Sequence, residues 1–320
     1  WIAKTYFANI ENSEEQIREE LSKFWMEDDA LQRTFDNFSE NTLSNFLLPF
    51  GAAPNFLINE KVYAIPMVIE ESSVVAAASS ASKFWLKRGG FKAEVLSTKK
   101  LGQVHFSWEG NFEKLLTTFD TLKKVLLAEA GYLTRNMEKR GGGILDIELK
   151  NLSDLEQGYF QLFVTFETCD SMGANFINSV LEQFGQTLKS FISGYPGFEE
   201  GEKEVEIIMA ILSNYTPECV VRASVECTTH EMIGACKEMN GPEFSEKFRK
   251  AVRIAHIDPY RATTHNKGIF NGVDAVVIAT GNDFRAIEAC GHTFASRDGQ
   301  YRSLSYCTVE DGVFKFWIDL

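Results

Sequence analysis

The sequence predicts an α+β protein in which a small β-α-β-β-α-β unit is inserted into a larger, helix-rich domain. Between residues 97 and 211, the hydrophobic pattern alternates between strand and helix spacing in that order, which is the order of a split βαβ, or ferredoxin-like, unit. On both sides of this segment the pattern becomes helix-rich again. We therefore expect a large domain formed by residues 1–96 and 212–320, with a small domain at 97–211. No Gly-x-Gly-x-x-Gly occurs, so the small domain is not predicted to be a Rossmann fold.

The first part of the chain predicts helices that flank short strands. Residues 12–35 combine a start signal at Ser13, an acidic first turn and apolar residues at helical spacing. A second helix begins after Ser72, where Ala and Ser alternate with Val, and it ends at Arg88-Gly-Gly. Apolar runs interrupted by Pro and Gly predict the strands, at 46–50, 55–59 and 62–69.

The remaining elements follow from periodicity and turn residues. Asp311-Gly312 between two apolar runs predicts a hairpin. The run Ala-Val-Val-Ile-Ala at 275–279 is predicted to be a buried strand that presents Asn282 and Asp283 at its carboxyl end. The other predicted strands are 103–108, 144–149, 159–168, 204–212, 220–228, 303–309 and 313–320, and the other helices are 110–138, 173–193, 242–257 and 283–296.

Composition excludes several classes of function. A net charge of −13 argues against a general nucleic-acid or membrane-surface role, because no basic excess exists to attract phosphates. The six cysteines and five histidines show no metal-ligand spacing, and the cysteines show no disulfide framework, so we expect no metal and a reduced, cytoplasmic setting. No apolar run approaches the ~18 residues of a membrane span, and no signal-peptide pattern opens the chain.

The segment 258–285 is the densest group of polar side chains in the chain. Lys267, if held near Asp283, would be a charged donor for an oxygen that gains negative charge. Spacing alone does not separate such a site from a set of solvated charges, so both interpretations stay open. The polar residues are Arg261, His265, Asn266, Lys267, Asn271, Asn282 and Asp283.

Two further motifs are ambiguous in the same way. Glu70-Glu71 lies between an apolar strand and a small-residue helix, so Glu71 is either an acid whose pKa is raised by burial or, as position alone favours, a helix cap. The turn from Asp170 to Asn175 could bind a phosphate through exposed helix N–H groups, with Gly173 allowing close approach. Its spacing alone favours a plain strand-to-helix turn.

Taken together, these motifs resemble the bacterial-type (class II) 3-hydroxy-3-methylglutaryl-coenzyme A reductases. The resemblance runs in order from about residue 40 to 310. It rests on Glu40-Asn41, Glu70–Ser79, Asp170–Asn175, Ile211–Asn214, Asp258–Ile269 and Ala279–Asp283. It implies a two-step reduction of the acyl thioester to mevalonate with two nicotinamide cofactors, or the reverse oxidation. It also implies a homodimer with shared sites and a non-Rossmann cofactor domain. The alternative is a catalytically silent relative that binds acyl-coenzyme A or acts as a dimeric scaffold.

The resemblance also implies residue roles. Glu71 would protonate the developing alcohol oxygen, Lys267 would stabilise the oxyanion, and Asp283 would sit beside Lys267. The carboxylate and hydroxyl of the acyl group would be held by Arg261, Ser73 and Asn271. The cofactor site would be lined by Asp170, Met172, Gly173, Asn175 and Asn214, together with Thr134 and Arg135.

Two departures from the family pattern lead to expectations. The family's catalytic histidine lies on a C-terminal segment that none of the five histidines here matches, so a chain ending at Leu320 is expected to be poorly active. At the position where NADH-using relatives carry an acid, this chain has Thr134 followed by Arg135. Loss of the acid and gain of a cation favour NADPH over NADH.

Overall fold

The computed structural model describes residues 14–320, and the helix start signal at Ser13 lies outside them. The chain is a mixed α and β protein. The helices are α1 (Glu14–Ser22), α2 (Asp29–Asp36), α3 (Val74–Leu86), α4 (Phe112–Glu138), α5 (Ala174–Gly194), α6 (Gly241–Ile257), α7 (Pro259–Ala279) and α8 (Phe284–Ala295). The strands are β1 (Phe50–Ile58), β2 (Lys61–Val68), β3 (Lys92–Trp108), β4 (Gly143–Asn151), β5 (Tyr159–Glu167), β6 (Val205–Leu212), β7 (Cys219–Thr228), β8 (Ser305–Glu310) and β9 (Val313–Asp319).

The long strand β3 joins two halves of one seven-stranded antiparallel sheet. Its first half, residues 92–98, pairs with β7, which continues through β9 to β8. Its second half lies between β5 and β6, and β5 pairs with β4. The strand order in the second half is therefore β6-β3-β5-β4. The predicted domain start at residue 97 falls inside β3, next to a register irregularity between Val95 and Ser97.

The largest core lies between one face of the second half-sheet and the helices α4 and α5. Inward residues alternate along β3 and β5, for example Val104 and Phe106 on β3 and Leu162 on β5, each fully buried. Leu122 of α4 and Phe184 of α5 close the core from the other side. This alternation is the two-residue spacing of half-buried strands, which is why the sequence locates these elements within a few residues.

Residues 275–279 are helical, so the predicted strand there is wrong. They are the last turns of α7, which Asp258 caps by accepting a hydrogen bond from Tyr260 N at 3.0 Å and which has proline at its first position. The run looks strand-like because α7 is covered on more than one side. Ala275 packs with Ala53 and Met67 of the separate β1–β2 hairpin, and α7 also contacts α6 and α8.

Two other predictions about the first part of the chain need correction. The single helix predicted for 12–35 is two helices, because residues 23–28 interrupt it between α1 and α2. The predicted strand at 46–50 is absent apart from Phe50, the first residue of β1. By contrast, the hairpin at Asp311-Gly312 is confirmed, with φ of 49° and 77° at its two central residues, as a type I′ turn requires.

The core contacts predict which leucines stabilise the fold. Leu162 is fully buried in β5, whereas Leu155 is 80% exposed in the preceding loop. Leu162→Ala should lower the free energy of unfolding by about 2–5 kcal/mol, because it removes buried methyl groups and leaves a cavity. Leu155→Ala should change it by less than about 0.5 kcal/mol. Urea unfolding of both variants measures the difference, and equal losses would contradict this assignment of the core.

Candidate functional site

The centre of the candidate site is an ion pair between α7 and the segment that precedes α3. Lys267 Nζ lies 2.6 Å from Glu71 Oε2, and the side-chain amide of Asn271, one turn further along α7, donates to the same oxygen at 3.2 Å. Lys267 and Glu71 are 196 positions apart in sequence. The fold thus brings an acid, an ammonium group and an amide together at one point.

A cavity of about 380 Å³ opens beside this cluster. The glycines of α7 and the alanines of α3 that line it have small or no side chains, so the helix backbone is accessible from the cavity. The lining residues are Met67, Glu71, Ser72, Ser73, Val74, Ala77, Ala78, Gly268, Asn271 and Gly272. A small ligand in this cavity would lie beside the carboxyl group of Glu71 and the ammonium group bonded to it.

Ser73 combines a strained backbone with a hydroxyl that does not cap its helix. It occupies the N-cap position of α3 with φ of 73°, a left-handed conformation that is uncommon outside glycine, and its side chain makes no capping hydrogen bond. Strain of this kind is frequent at ligand sites. The hydroxyl at the cavity wall is therefore available to a ligand.

Glu71 is not the helix cap that its position favours, since Ser73 occupies the N-cap of α3. It is also not buried within this chain, because its side chain is 46% exposed. The expectation that Glu71 is a buried acid is therefore not met within one chain. The carboxylate is instead held by its two hydrogen bonds from α7.

Asp283 does not sit beside Lys267 within the chain, which corrects that expectation. It caps α8, accepting hydrogen bonds from Arg285 N and Ala286 N at 3.1 and 3.3 Å. Its carboxylate pairs with Arg285 at 3.2 Å, and this guanidinium together with the backbone donors lowers its pKa. Lys267 is twelve positions, or about 18 Å along the axis, before Ala279 at the end of α7, and Asp283 follows that helix end.

A second group of candidate residues lies at one end of the β6-β3-β5-β4 half-sheet. The turn from Asp170 to Gly173 joins β5 to α5, and Asn214 follows β6. Lys100 of β3 donates to Ser171 O at 3.3 Å, and the neighbouring Leu101 O accepts from Ser213 N at 2.9 Å. Asp170, Met172, Asn175 and Asn214 are exposed around this end.

Gly173 cannot be replaced without a clash at this turn. Its φ is 77°, and a Cβ there would lie 2.4 Å from Cγ2 of Thr168. A glycine at this position lets the N-terminus of α5 approach the strand end closely, leaving its first N–H groups without a side-chain cap. Such a turn fits a phosphate or pyrophosphate group.

Comparison with known proteins identifies the family. A profile described as hydroxymethylglutaryl-coenzyme A reductase matches residues 6–320. The chain belongs to the hydroxymethylglutaryl-coenzyme A reductase family.

It is 34% identical over 304 residues to the 3-hydroxy-3-methylglutaryl-coenzyme A reductase of Archaeoglobus fulgidus, a match that covers 93% of this chain and 63% of the relative. It is 32% identical over 271 residues to the probable reductase of Borreliella burgdorferi, covering 84% of this chain and 58% of that protein. The chain thus spans about 60% of the length of these curated relatives.

Solved structures of the reductase family from Streptococcus pneumoniae share the fold. One has a TM-score of 0.77 at 34% identity, covering 99% of this chain and 85% of the other. A second, the class II reductase bound to NADPH in open conformations, has a TM-score of 0.78 at 34% identity. The predicted resemblance to class II reductases is therefore confirmed.

Among the residues predicted for the reductase site, the structure brings some together and separates others. Glu71, Ser73, Lys267 and Asn271 meet at the cavity. Arg261 is exposed on α7, six residues or about 9 Å along the axis before Lys267.

Thr134 is not supported as a contact residue for a nicotinamide cofactor. Its side chain is only 2% exposed, and its hydroxyl lies 3.4 Å from Gly131 O within α4. The reason is its place on the face of α4 that packs against the core. Arg135, the next residue, is exposed.

Sequence reasoning missed two basic residues beside the turn at Asp170. Lys100 bonds to that turn directly, and the carbonyl oxygen of Arg140 accepts a hydrogen bond from Cys169 Sγ at 3.2 Å. Arg140 immediately precedes the Gly141-Gly-Gly triplet and could have been noticed with Arg135. Lys100 carries no local signal, because only the pairing of β3 with β5 places it there.

The described residues also exclude some features. In residues 14–320 no cluster of His, Cys, Asp and Glu has the arrangement of a metal site. Across the same range, every helix falls short of the length and hydropathy that a membrane crossing needs.

Asp274, on the same helix as Lys267 and Asn271, has a pKa well above the usual value of an aspartate. Burial, followed by the neighbouring Glu288 carboxyl on α8, raises its pKa from about 3.8 to about 7. Its Oδ1 is buried and has no hydrogen-bond partner among the described residues. The folded state therefore holds a proton that the unfolded state releases near pH 4.

The contribution of Asp274 to the free energy of unfolding should consequently fall as pH rises. This contribution is complete below about pH 4 and is lost as pH rises through about 7, because the unfolded state binds fewer protons than the folded state in that window. Asp274→Asn and Glu288→Gln should each flatten the free energy of unfolding between pH 4 and 8 and stabilise the protein most at the upper end. Urea unfolding at several pH values measures this, and an unchanged slope in Asp274→Asn would contradict it.

Proposed function

We propose that the protein reduces 3-hydroxy-3-methylglutaryl-coenzyme A to mevalonate and coenzyme A, or catalyses the reverse oxidation. The observation that carries the proposal is the contact of Lys267 and Asn271 with Glu71 at the wall of a cavity large enough for the acyl group. Family membership and the motifs around these residues support it.

The chemistry requires two hydride additions to the same carbon: after the first, the carbon–sulfur bond breaks, coenzyme A leaves as the thiol and an aldehyde remains, and the second reduces that aldehyde to the alcohol. One thioester, two reduced nicotinamides and two protons give one alcohol, one thiol and two oxidised nicotinamides. In each addition the carbonyl oxygen gains negative charge. Lys267 Nζ would stabilise that charge, and Glu71, hydrogen-bonded to it, would supply a proton to the oxygen. Ser73, Asn271 and Arg261 would hold the hydroxyl and carboxylate of the acyl group, the guanidinium of Arg261 by two parallel hydrogen bonds.

We assign the β6-β3-β5-β4 half-sheet with α4 and α5 to a small inserted domain of ferredoxin-like type that binds the nicotinamide cofactor. Its element order and strand order support this assignment. The turn at Gly173 would hold the pyrophosphate, because the first N–H groups of α5 have no side-chain cap there. Asp170, Met172, Asn175 and Asn214 would line the site. When bound, the reduced nicotinamide supplies hydride.

We further propose a homodimer whose active sites are shared. Asp283 lies at the far end of α7 from Lys267, so only Asp283 of a second copy could complete the trio with Glu71 and Lys267. Large apolar side chains support an interface, since Tyr260 and Phe46 are each 89% exposed. Desolvation of Glu71 would then come from the partner subunit.

The alternative, a silent acyl-coenzyme A-binding relative or dimeric scaffold, is separated from the enzyme by Lys267→Met. This variant keeps most of the side-chain volume and removes the charge. The proposed reaction predicts a fall in kcat of about 10²–10³-fold, since one donor to the developing oxyanion is lost. The assay follows substrate-dependent oxidation of NADPH together with mevalonate formation. Lys124→Met, at an exposed position of α4, is the matched control and should keep the wild-type rate. A wild-type protein that binds acyl-coenzyme A and forms no mevalonate even at the low rate expected of a chain ending at Leu320 would favour the silent relative.

The cofactor proposal is NADPH rather than NADH. Arg135 is exposed on α4, and the basic residues Lys139 and Arg140 follow it at the helix end beside the Asp170 turn. A cation there favours the additional 2′-phosphate. The similar solved structure of the class II reductase from Streptococcus pneumoniae, which is bound to NADPH, adds support.

Cofactor choice is measured by kcat/KM with NADPH and with NADH. We expect the wild type to prefer NADPH, and Arg135→Ala to lose efficiency with NADPH by about tenfold, as expected for one charged hydrogen bond. Efficiency with NADH in the same variant is the internal control and should change little. A clear wild-type preference for NADH would refute the proposal.

A further inference from the structure

Asn266 is a polar residue within an otherwise apolar stripe of α7. Its side chain is fully buried, and the buried positions one turn before and after it are Ala262 and Phe270. Burying an amide is costly unless its polar atoms are bonded. Here Nδ2 donates to Arg302 O at 2.8 Å, and Oδ1 accepts from Leu304 N at 3.0 Å. The amide therefore fastens α7 to the backbone that leads into β8.

His265 adds a second attachment at the same level of α7. Its Nε2 lies 2.7 Å from Ser305 Oγ, and Ser305 is fully buried. Ser303 Oγ accepts from Ser305 N at 3.0 Å, so the hydroxyl that meets His265 belongs to an ordered turn. His265 and Asn266, two consecutive residues of α7, are thus hydrogen-bonded to the segment 302–305.

Lys267 follows directly and points away from these attachments. Successive helix residues are rotated by about 100°, so Lys267 lies about 160° from His265 around the axis. Its side chain is 62% exposed and that of Glu71 is 46% exposed. Within one chain an ion pair this exposed is only weakly stabilising, and Lys267 Nζ has no hydrogen-bond partner in it besides Glu71 among the described residues. The position of Nζ therefore depends on where the backbone of α7 is held.

We propose that Asn266, assisted by His265, is the positioning residue that holds Lys267 against Glu71. The inference rests on the function proposed above, in which Lys267 meets an oxygen whose charge develops only during hydride addition. Loosening α7 would then misplace Nζ in the transition state more than it would weaken substrate binding. Asn266 itself touches no reacting atom.

The test compares Asn266→Leu with a matched buried variant elsewhere. Asn266→Leu is close in size and removes both hydrogen bonds, and Asn266→Asp is a second variant that keeps the acceptor for Leu304 N and loses the donor to Arg302 O. The control is Ser245→Ala on α6, which removes another fully buried side-chain hydrogen bond, from Ser245 Oγ to Gly241 O. Both sets are assayed well below their melting temperatures.

Kinetics give the first readout. Asn266→Leu should lower kcat by about 10- to 100-fold, with KM changed by less than about threefold. Ser245→Ala should keep the wild-type kcat even if its melting temperature falls equally. His265→Leu should lower kcat by a smaller factor. His265→Gln, which retains a nitrogen able to hydrogen-bond to Ser305 Oγ, should keep the wild-type kcat. Wild-type kcat in Asn266→Leu, or an equal loss in Ser245→Ala, would overturn the proposal.

Chemical labelling gives a second readout that does not depend on turnover. Trace acetylation followed by mass spectrometry reports the reactivity of Lys267 relative to the exposed Lys124. In Asn266→Leu and Asn266→Asp the relative labelling of Lys267 should rise several-fold, and in Ser245→Ala it should not change. If the wild type forms no mevalonate but labelling rises as expected, the positioning role stands and the proposed function fails. Unchanged labelling in both Asn266 variants overturns the positioning role.

Discussion

Both halves of the molecule depend on the backbone pairing of β3. Residues 92–98 of this strand hydrogen-bond to β7, and residues 99–108 hydrogen-bond to β5 and β6. The turn at Asp170 is attached to β3 through Lys100, while α3, which begins after Ser73, leads directly into β3. The cavity beside Glu71 and the turn at Gly173 therefore keep a fixed relation only as long as one strand keeps its register. The irregularity at Leu96 is where this strand could bend.

The sequence located the β-α-β-β-α-β elements well because they are half buried. Val104, Phe106 and Trp108 face the core and alternate with partly exposed residues, which gives a clear period of two. The first half of β3 was missed for the opposite reason. Residues 92–96 are all exposed, so no alternation marks them, and only pairing with β7 makes them a strand. Periodicity reports burial, and an element held mainly by backbone hydrogen bonds leaves little trace in it.

The error at 275–279 has the same origin. The last turns of α7, Ala-Val-Val-Ile-Ala, are apolar on every side, so they resemble a buried strand of the same length. Prediction of the site residues from sequence was also limited, because local patterns do not report contacts between distant parts of the chain. The polar density of 258–285 identified Lys267 and Asn271, but their partner Glu71 lies almost 200 positions earlier, and no local pattern encodes that contact. Only the motif at Glu71, through its family resemblance, could supply it.

The helical conformation of residues 259–279 gives the polar residues of this stretch different directions. In the sequence alone, His265, Asn266 and Lys267 are three equivalent candidates for chemistry. On α7, rotation of about 100° per residue turns Asn266 and His265 toward the 302–305 backbone and Lys267 toward Glu71. Within one chain, Glu71 is the only side chain among the described residues that bonds to the exposed ammonium group of Lys267. The geometry of the site has to be set from the buried side of the same helix, and a buried amide with both polar atoms bonded is a rigid means of setting it.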